Sequence, residues 1–222
     1  RIFIIYSILS IGILSLLNLS GIRLFNSLNL CMTLVSGGGF LPTESLNKII
    51  STNFQKVIMI LSLILSFLNF YLIFNLFNKN TLIKEHKEDL YLIILSIIFC
   101  FLIYFNNYDG LDIIISVTSS LANSGLTLMR SDNSLSLYFL LITIIGGSLI
   151  SNSSGIKITR FYILLKITSL EIIKLISPNS IINKTIFGSE KKISDDNVKI
   201  SFLIFISFFL SLFILSSFLI FD

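Results

Sequence analysis

The functional group this sequence is best equipped to present is main-chain oxygen. Gly37, Gly38 and Gly39 stand in a row between an apolar segment and Phe40, and Ala122-Asn123-Ser124-Gly125 takes a comparable place before Leu126. In hydrocarbon a bare carbonyl or amide is costly unless protein or water satisfies it, so irregular backbone at membrane depth usually lines a path for something polar. A turn whose carbonyls face a common axis can replace a cation's water shell, and glycine permits the backbone angles and the close approach this needs. Ser36, Gly37, Gly38 and Gly39, with Ala122, Asn123, Ser124 and Gly125, are therefore candidate ion-binding walls of a filter. The competing reading of these glycines is that small residues let membrane helices pack closely.

A second irregular stretch, Gly146 and Gly147 followed by Ser151, Asn152, Ser153, Ser154 and Gly155, interrupts an apolar run and ends at Lys157. A cation there would interact with loop carbonyls or repel ions, or its stem would snorkel to the interface. Asp109, Asp112 and Asp132 flank the second filter segment with only Arg130 to offset them, which suits an acidic vestibule that concentrates cations or, equally, a set of solvated loop residues. His86 stands alone between Glu85 and Lys87, so neither a metal site nor histidine catalysis is expected. Cys31 and Cys100 sit in apolar segments and read as buried thiols. No P-loop or dinucleotide glycine pattern occurs, no cofactor or nucleic-acid partner is implied, and the chain does not read as an enzyme.

These residues need a membrane scaffold, and the composition supplies one. The 222 residues are 54% hydrophobic and 13% charged, with a mean hydropathy of +0.93, whereas charged residues make up about a quarter of a soluble domain. Apolar runs near the roughly 20 residues that span a bilayer occur at Ile2–Leu19, Val57–Phe77, Leu90–Phe105, Leu135 to about Ile150 resuming as Ile156–Ile176, and Ile200–Phe221. Ile22–Val35 and Leu111–Leu121 are too short to span and lead into the glycine segments, which suits re-entrant helices. The chain opens on Arg1 without Met and closes on Asp222 after an apolar run, so it reads as a piece of a longer protein.

Basic residues orient the spans. Lys79, Lys84 and Lys87 fall between the second and third runs, and eight of the sixteen basic residues lie from Lys157 to Lys199, which places both regions in the cytoplasm and the glycine segments on the outer side. The match of Asn183-Lys184-Thr185 to a glycosylation sequon carries no weight on that topology. The order of span, short helix, glycine turn and span occurs twice. Ser27–Leu46 aligns with Ser116–Leu135, Gly39-Phe40 falling on Gly125-Leu126 after a slip of three residues across the short helix. Internal repeats of this kind are common in transport proteins.

Leu34-Val35-Ser36-Gly37-Gly38-Gly39-Phe40 resembles the second filter loop of the TrkH/KtrB (Trk/Ktr/HKT) potassium-uptake family, TrkH-like branch, where Gly-Gly-Phe ends the loop. Ile145-Gly146-Gly147-Ser148-Leu149-Ile150-Ser151-Asn152-Ser153-Ser154-Gly155-Ile156-Lys157-Ile158-Thr159-Arg160 is similar to that family's Ile-Gly-Gly-Cys-Ala-Gly-Ser-Thr-Gly-Gly-Gly-Ile-Lys run. Leu164-Leu165-Lys166, Ser177-Pro178-Asn179 and Ile193-Ser194-Asp195-Asp196 follow in the family's order, so the resemblance covers nearly the whole chain.

The resemblance implies an all-α integral membrane protein of repeated membrane helix, re-entrant pore helix and membrane helix units of the potassium-channel-like type. Residues 1–78 would be the second pore repeat, its first span partly truncated, with pore helix 22–35, filter 36–39 and second span 54–78; 79–89 would be a cytoplasmic linker. Residues 90–176 would be the third repeat, with pore helix 111–121, filter 122–125 and a broken second span whose intramembrane loop 146–155 gates the pore. A second cytoplasmic linker, 177–199, and the first span of the fourth repeat, 200–222, complete the chain. The implied activity is potassium uptake across a bacterial cytoplasmic membrane by a multi-pass protein in contact with lipid, working as a homodimer with a cytoplasmic nucleotide-binding regulatory subunit. Potassium is then the transported ion, held by backbone carbonyls. Sodium permeation or coupling within the same family, and secondary transport of a small solute, stay as alternatives.

Departures from the family pattern are local. Ile150, Ser153 and Ser154 replace loop glycines, which should stiffen the loop, and Asn123-Ser124-Gly125-Leu126 stands where the TrkH branch usually has Thr-Thr-Gly-Phe. The family's pore-side arginine of the fourth repeat would lie beyond Asp222.

Overall fold

Runs rich in Leu, Ile and Phe and free of Pro favour helices whose side chains can be solvated by lipid, and helices make up the described fold. The computed structural model describes residues 2–70, 72, 87–105, 108–129, 133–177, 185–186 and 193–221. Helices α1 (Ile2–Leu19), α2 (Leu24–Ser36) and α3 (Asn53–Phe67) are followed by α4 (Lys87–Tyr104), α5 (Gly110–Ala122), α6 (Asn133–Ile145), α7 (Ile158–Ile176) and α8 (Asp195–Phe221). Leu46–Lys48 adds one 3-10 turn ahead of α3. Predicted linker positions 79–86 with His86, the end of the second span at 73–78, Arg130, Asp132, and Pro178 to Lys184 lie outside the described residues.

The chain divides into two units, residues 1–155 and 156–222. In the first, α1 packs on α2 and α3, α4 and α6 pack on α5, and α3 joins the two sets by packing against α5. Helix α5 is enclosed, since every residue from Ile115 to Ala122 is buried. Three of its buried hydroxyls are satisfied within the helix: Ser116 Oγ donates to the Asp112 carbonyl at 2.9 Å, Thr118 to Ile114 at 2.7 Å and Ser120 to Ser116 at 2.8 Å. Helices α1 and α4 turn Phe3, Ile8 and Ile11, and Ile97, Ile98 and Phe101, to the exterior. Large exposed apolar side chains of this kind are the surface lipid requires.

In the second unit α7 packs against α8. Asp195–Phe218 is, among the described residues, the one helical stretch long and apolar enough by itself to cross a bilayer. The shorter apolar helices include Phe3–Leu19, Asn53–Phe67 and Leu135–Ile145.

Two observations differ from the sequence reading. The short helices α2 and α5 are both 13 residues long and keep one offset, 86 positions from Leu24/Gly110 to Ser36/Ala122, so their lengths call for no slip of three residues. The second span, predicted as continuous from 54 to 78, leaves the helix at Leu68, whose backbone is extended (φ −74°, ψ 161°). The start of α3 is fixed by a capping box in which the Thr52 hydroxyl accepts from the Gln55 amide and the Gln55 carboxamide accepts from Thr52 N–H.

Candidate functional site: two glycine bends and an inner loop

The two short helices end by the same device. Gly37 (φ 65°, ψ 27°) and Asn123 (φ 55°, ψ 31°) both take the left-handed conformation, and the next residue closes a six-to-one bond: Gly38 N–H donates to Thr33 at 3.2 Å, and Ser124 N–H to Ser119 at 3.0 Å. This termination suits Gly, and among other residues Asn tolerates it best. Two residues on, Gly39 (φ 70°) and Gly125 (φ 66°) repeat the positive angle. Ser36 and Ala122 are the last helical residues, so the irregular segments are Gly37–Gly39 and Asn123–Gly125.

Each segment is lashed back to its helix by a buried hydroxyl that the sequence reading passed over. Thr33 Oγ1 donates to the Phe40 carbonyl. Ser119 Oγ accepts from Leu126 N–H at 2.8 Å and lies 3.0 Å from Ser124 Oγ. The signal was present: Thr33 and Ser119 sit 86 residues apart, seven positions before Phe40 and Leu126.

The bends lie side by side. A methyl group added at Gly37 would stand 3.5 Å from the Asn123 carbonyl oxygen and 3.8 Å from that of Ala122, and one at Gly39 would stand 3.1 Å from that of Ser124. At Gly125 such a methyl would meet nothing within 4 Å. Asn123 Nδ2 is buried without a hydrogen-bond partner among the described residues.

Around Asp112 the structure corrects the charge reading. Asp112 is held by Lys56 of α3, Nζ to Oδ1 2.6 Å, both side chains less than one-fifth exposed (17% and 19%). Lys56 therefore neutralises Asp112 and ties α3 to the first turn of α5.

The inner stretch forms a pinched loop. Gly146 (φ 68°) and Gly155 (φ 89°) meet back to back: a methyl at Gly146 would fall 2.1 Å from the Ser154 carbonyl oxygen, and one at Gly155 2.9 Å from that of Thr143. Successive amides are all engaged. Gly146 N–H donates to Ile142 at 3.0 Å, Gly147 to Ser153 Oγ at 2.9 Å, Ser148 to the Phe67 carbonyl at 3.0 Å and Leu149 to Glu88 Oε1 at 2.6 Å. Ser151 Oγ reaches the Ser148 carbonyl and Ser153 Oγ, both at 2.8 Å. Asn152 is half-buried and Ser154 is exposed. Lys157, preceding α7, adopts φ 75° and ψ 134°, a region that non-glycine residues rarely occupy. Among the described residues no three His, Cys, Asp or Glu side chains gather as a metal site.

The fold has a known counterpart. It matches the crystal structure of the potassium transporter TrkH from Vibrio parahaemolyticus with a TM-score of 0.80 at 18% identity, over 96% of this chain and 48% of that one. The chain thus has the all-α fold of that membrane transporter, and the resemblance to the TrkH/KtrB family holds in three dimensions. In sequence it is 30% identical over 182 residues to a Methanocaldococcus jannaschii protein described as an uncharacterized cation transporter, covering 81% of this chain and 37% of that protein. It spans less than half the length of either. No family model matches the sequence.

Proposed function

We propose that the chain is the middle portion of a TrkH/KtrB-type potassium-uptake protein of the cytoplasmic membrane, and that Gly37–Gly39 and Asn123–Gly125 are neighbouring strands of its selectivity filter. The observation that carries the reading is the adjacency of the bends, with the carbonyls of Asn123 and Ser124 close against Gly37 and Gly39. Helices α2 and α5 end at these bends, and each C-terminus carries about half a negative charge, which favours a cation. Carbonyl oxygens then take the place of water around the ion. On this reading residues 1–78 and 90–176 are the second and third pore repeats, and residues 200–222 open the fourth; the remaining filter strands come from outside this chain. Gly146–Gly155 is the inner gate, and Lys157 follows it in the sequence. The resemblance further suggests a homodimer with a cytoplasmic nucleotide-binding regulatory subunit.

Expression of the complete protein in a host that cannot take up potassium tests this. Growth at limiting potassium should be rescued by the parent and lost in Gly39→Ala with membrane insertion intact; undiminished rescue would contradict the filter assignment. Rescue of sodium-dependent but not potassium-dependent growth would point to the sodium-permeable reading.

A further inference from the structure

The inner loop does not hold itself in place. Where α3 breaks at Leu68, the chain pairs with the loop after α6: Ser148 N–H donates to the Phe67 carbonyl at 3.0 Å and Phe70 N–H to that of Ile150 at 2.9 Å. Paired backbone of this kind leaves the intervening amides, Asn69 and Leu149, pointing away from the pairing with donors still to satisfy. They go to consecutive residues of one helix. Asp89 Oδ1 accepts from Asn69 N–H at 2.9 Å, and Glu88 Oε1 accepts from Leu149 N–H at 2.6 Å. Both carboxylates stand in the first turn of α4, where the helix dipole favours negative charge. Asp89 is 1% exposed.

We propose that Glu88 and Asp89 are positioning residues for transport: a carboxylate clasp that fixes the break after α3 and the loop Gly146–Gly155 in one arrangement. This rests on the reading of that loop as a gate. The sequence places the pair at the head of an apolar run, where acidic residues are expected to be solvated, and the structure instead spends them on two backbone amides from different repeats. Hydrogen bonds to ionised carboxylates are roughly twice as strong as neutral ones, and an amide left unmet at membrane depth is costly. Movement of the loop away from Phe67 and Phe70 therefore requires the Leu149 amide to leave Glu88, and α4 links that movement to the break in α3. Weakening the clasp should free the loop without touching the filter.

The test uses the complete protein in liposomes. A thiol reporter, Leu149→Cys, keeps the backbone amide and sits on a half-exposed side chain (42%). Its rate of modification by a water-soluble maleimide, taken relative to the same protein without that cysteine, reads release of the loop. Rubidium tracer uptake reads the gate, and the rubidium-to-sodium uptake ratio reads the filter. Glu88→Gln keeps shape and an acceptor while removing charge; Glu88→Ala with Asp89→Asn removes more. In Glu88→Gln both modification and rubidium uptake should rise about fivefold, the factor separating a charge-assisted from a neutral hydrogen bond, with the ratio unchanged. The double variant should rise further, and Glu88→Gln alone decides the matter if the double variant does not insert. Unchanged modification in inserted protein overturns the clasp. Faster modification with unchanged uptake overturns the gate reading and with it the role in transport, and a collapse of the ratio in Glu88→Gln overturns the claim that these residues act on the loop alone.

Discussion

The Ser124 carbonyl oxygen lies 3.1 Å from where a methyl group on Gly39 would stand, so the main chain of one bend is fitted tightly against the main chain of the other. Gly39 is also at φ 70°, where L-residues pay a penalty of about 1–2 kcal/mol. Gly125 shares the angle (φ 66°) but faces open space. Alanine at the two positions is therefore not equivalent. Gly39→Ala should abolish potassium-dependent growth rescue, whereas Gly125→Ala should carry only the backbone penalty and retain measurable rubidium uptake; equal loss at both would contradict the packing argument.

The hydroxyls beneath the bends should matter through different atoms. Ser119→Ala leaves the buried Leu126 amide without its partner, an expected cost of about 1–3 kcal/mol. Thr33→Val removes a donor to the Phe40 carbonyl while keeping the shape, and should cost about 1 kcal/mol. Thermal unfolding in detergent checks the order, Ser119→Ala below Thr33→Val, and the rubidium-to-sodium uptake ratio should fall in both.

Lys56 and Asp112 are mostly shielded, so their pairing should survive salt better than a surface ion pair. A double-mutant cycle of Lys56→Met and Asp112→Asn should return a coupling on the order of 1 kcal/mol that changes little with added salt. A coupling that vanishes in salt would mean the pair is solvated and Asp112 available to incoming cations.

In the inner loop the two serines that stand for glycines divide by function. Ser153 Oγ accepts the Gly147 amide at 2.9 Å and is buried, while Ser154 is exposed. Ser153→Gly should speed rubidium uptake several-fold by removing a bond of about 1 kcal/mol, and Ser154→Gly should leave it near the parent rate. Gly146→Ala, which would put a methyl 2.1 Å from the Ser154 carbonyl, should fail to yield folded protein.

Much of this arrangement was legible because the membrane makes polar and flexible residues scarce. Glycines after two short apolar segments marked the bends, and Gly146 to Gly155 marked the interruption between α6 and α7. The continuous register of α2 and α5 was obscured because their residues differ almost throughout, and only the matching cap geometry reveals it. The break at Leu68 had no local signal. The run Val57–Phe77 contains neither Gly nor Pro, and the break is imposed from elsewhere in the fold by Ser148, Ile150 and Asp89. Asn69, one of two asparagines in the run, was a weak polar clue. Lys56 and Asp112 are 56 residues apart, and sequence alone offers no means of pairing them. Thr52 and Gln55 spelled a helix start that the hydropathy reading overlooked.

The central claim is that the two bends share one ion. A crystal structure of the complete protein grown with thallium, a potassium substitute with a strong anomalous signal, tests it directly. The account expects an anomalous peak within coordinating distance of carbonyl oxygens from both Gly37–Gly39 and Asn123–Gly125; thallium bound elsewhere along the protein, with none between these segments, would contradict it.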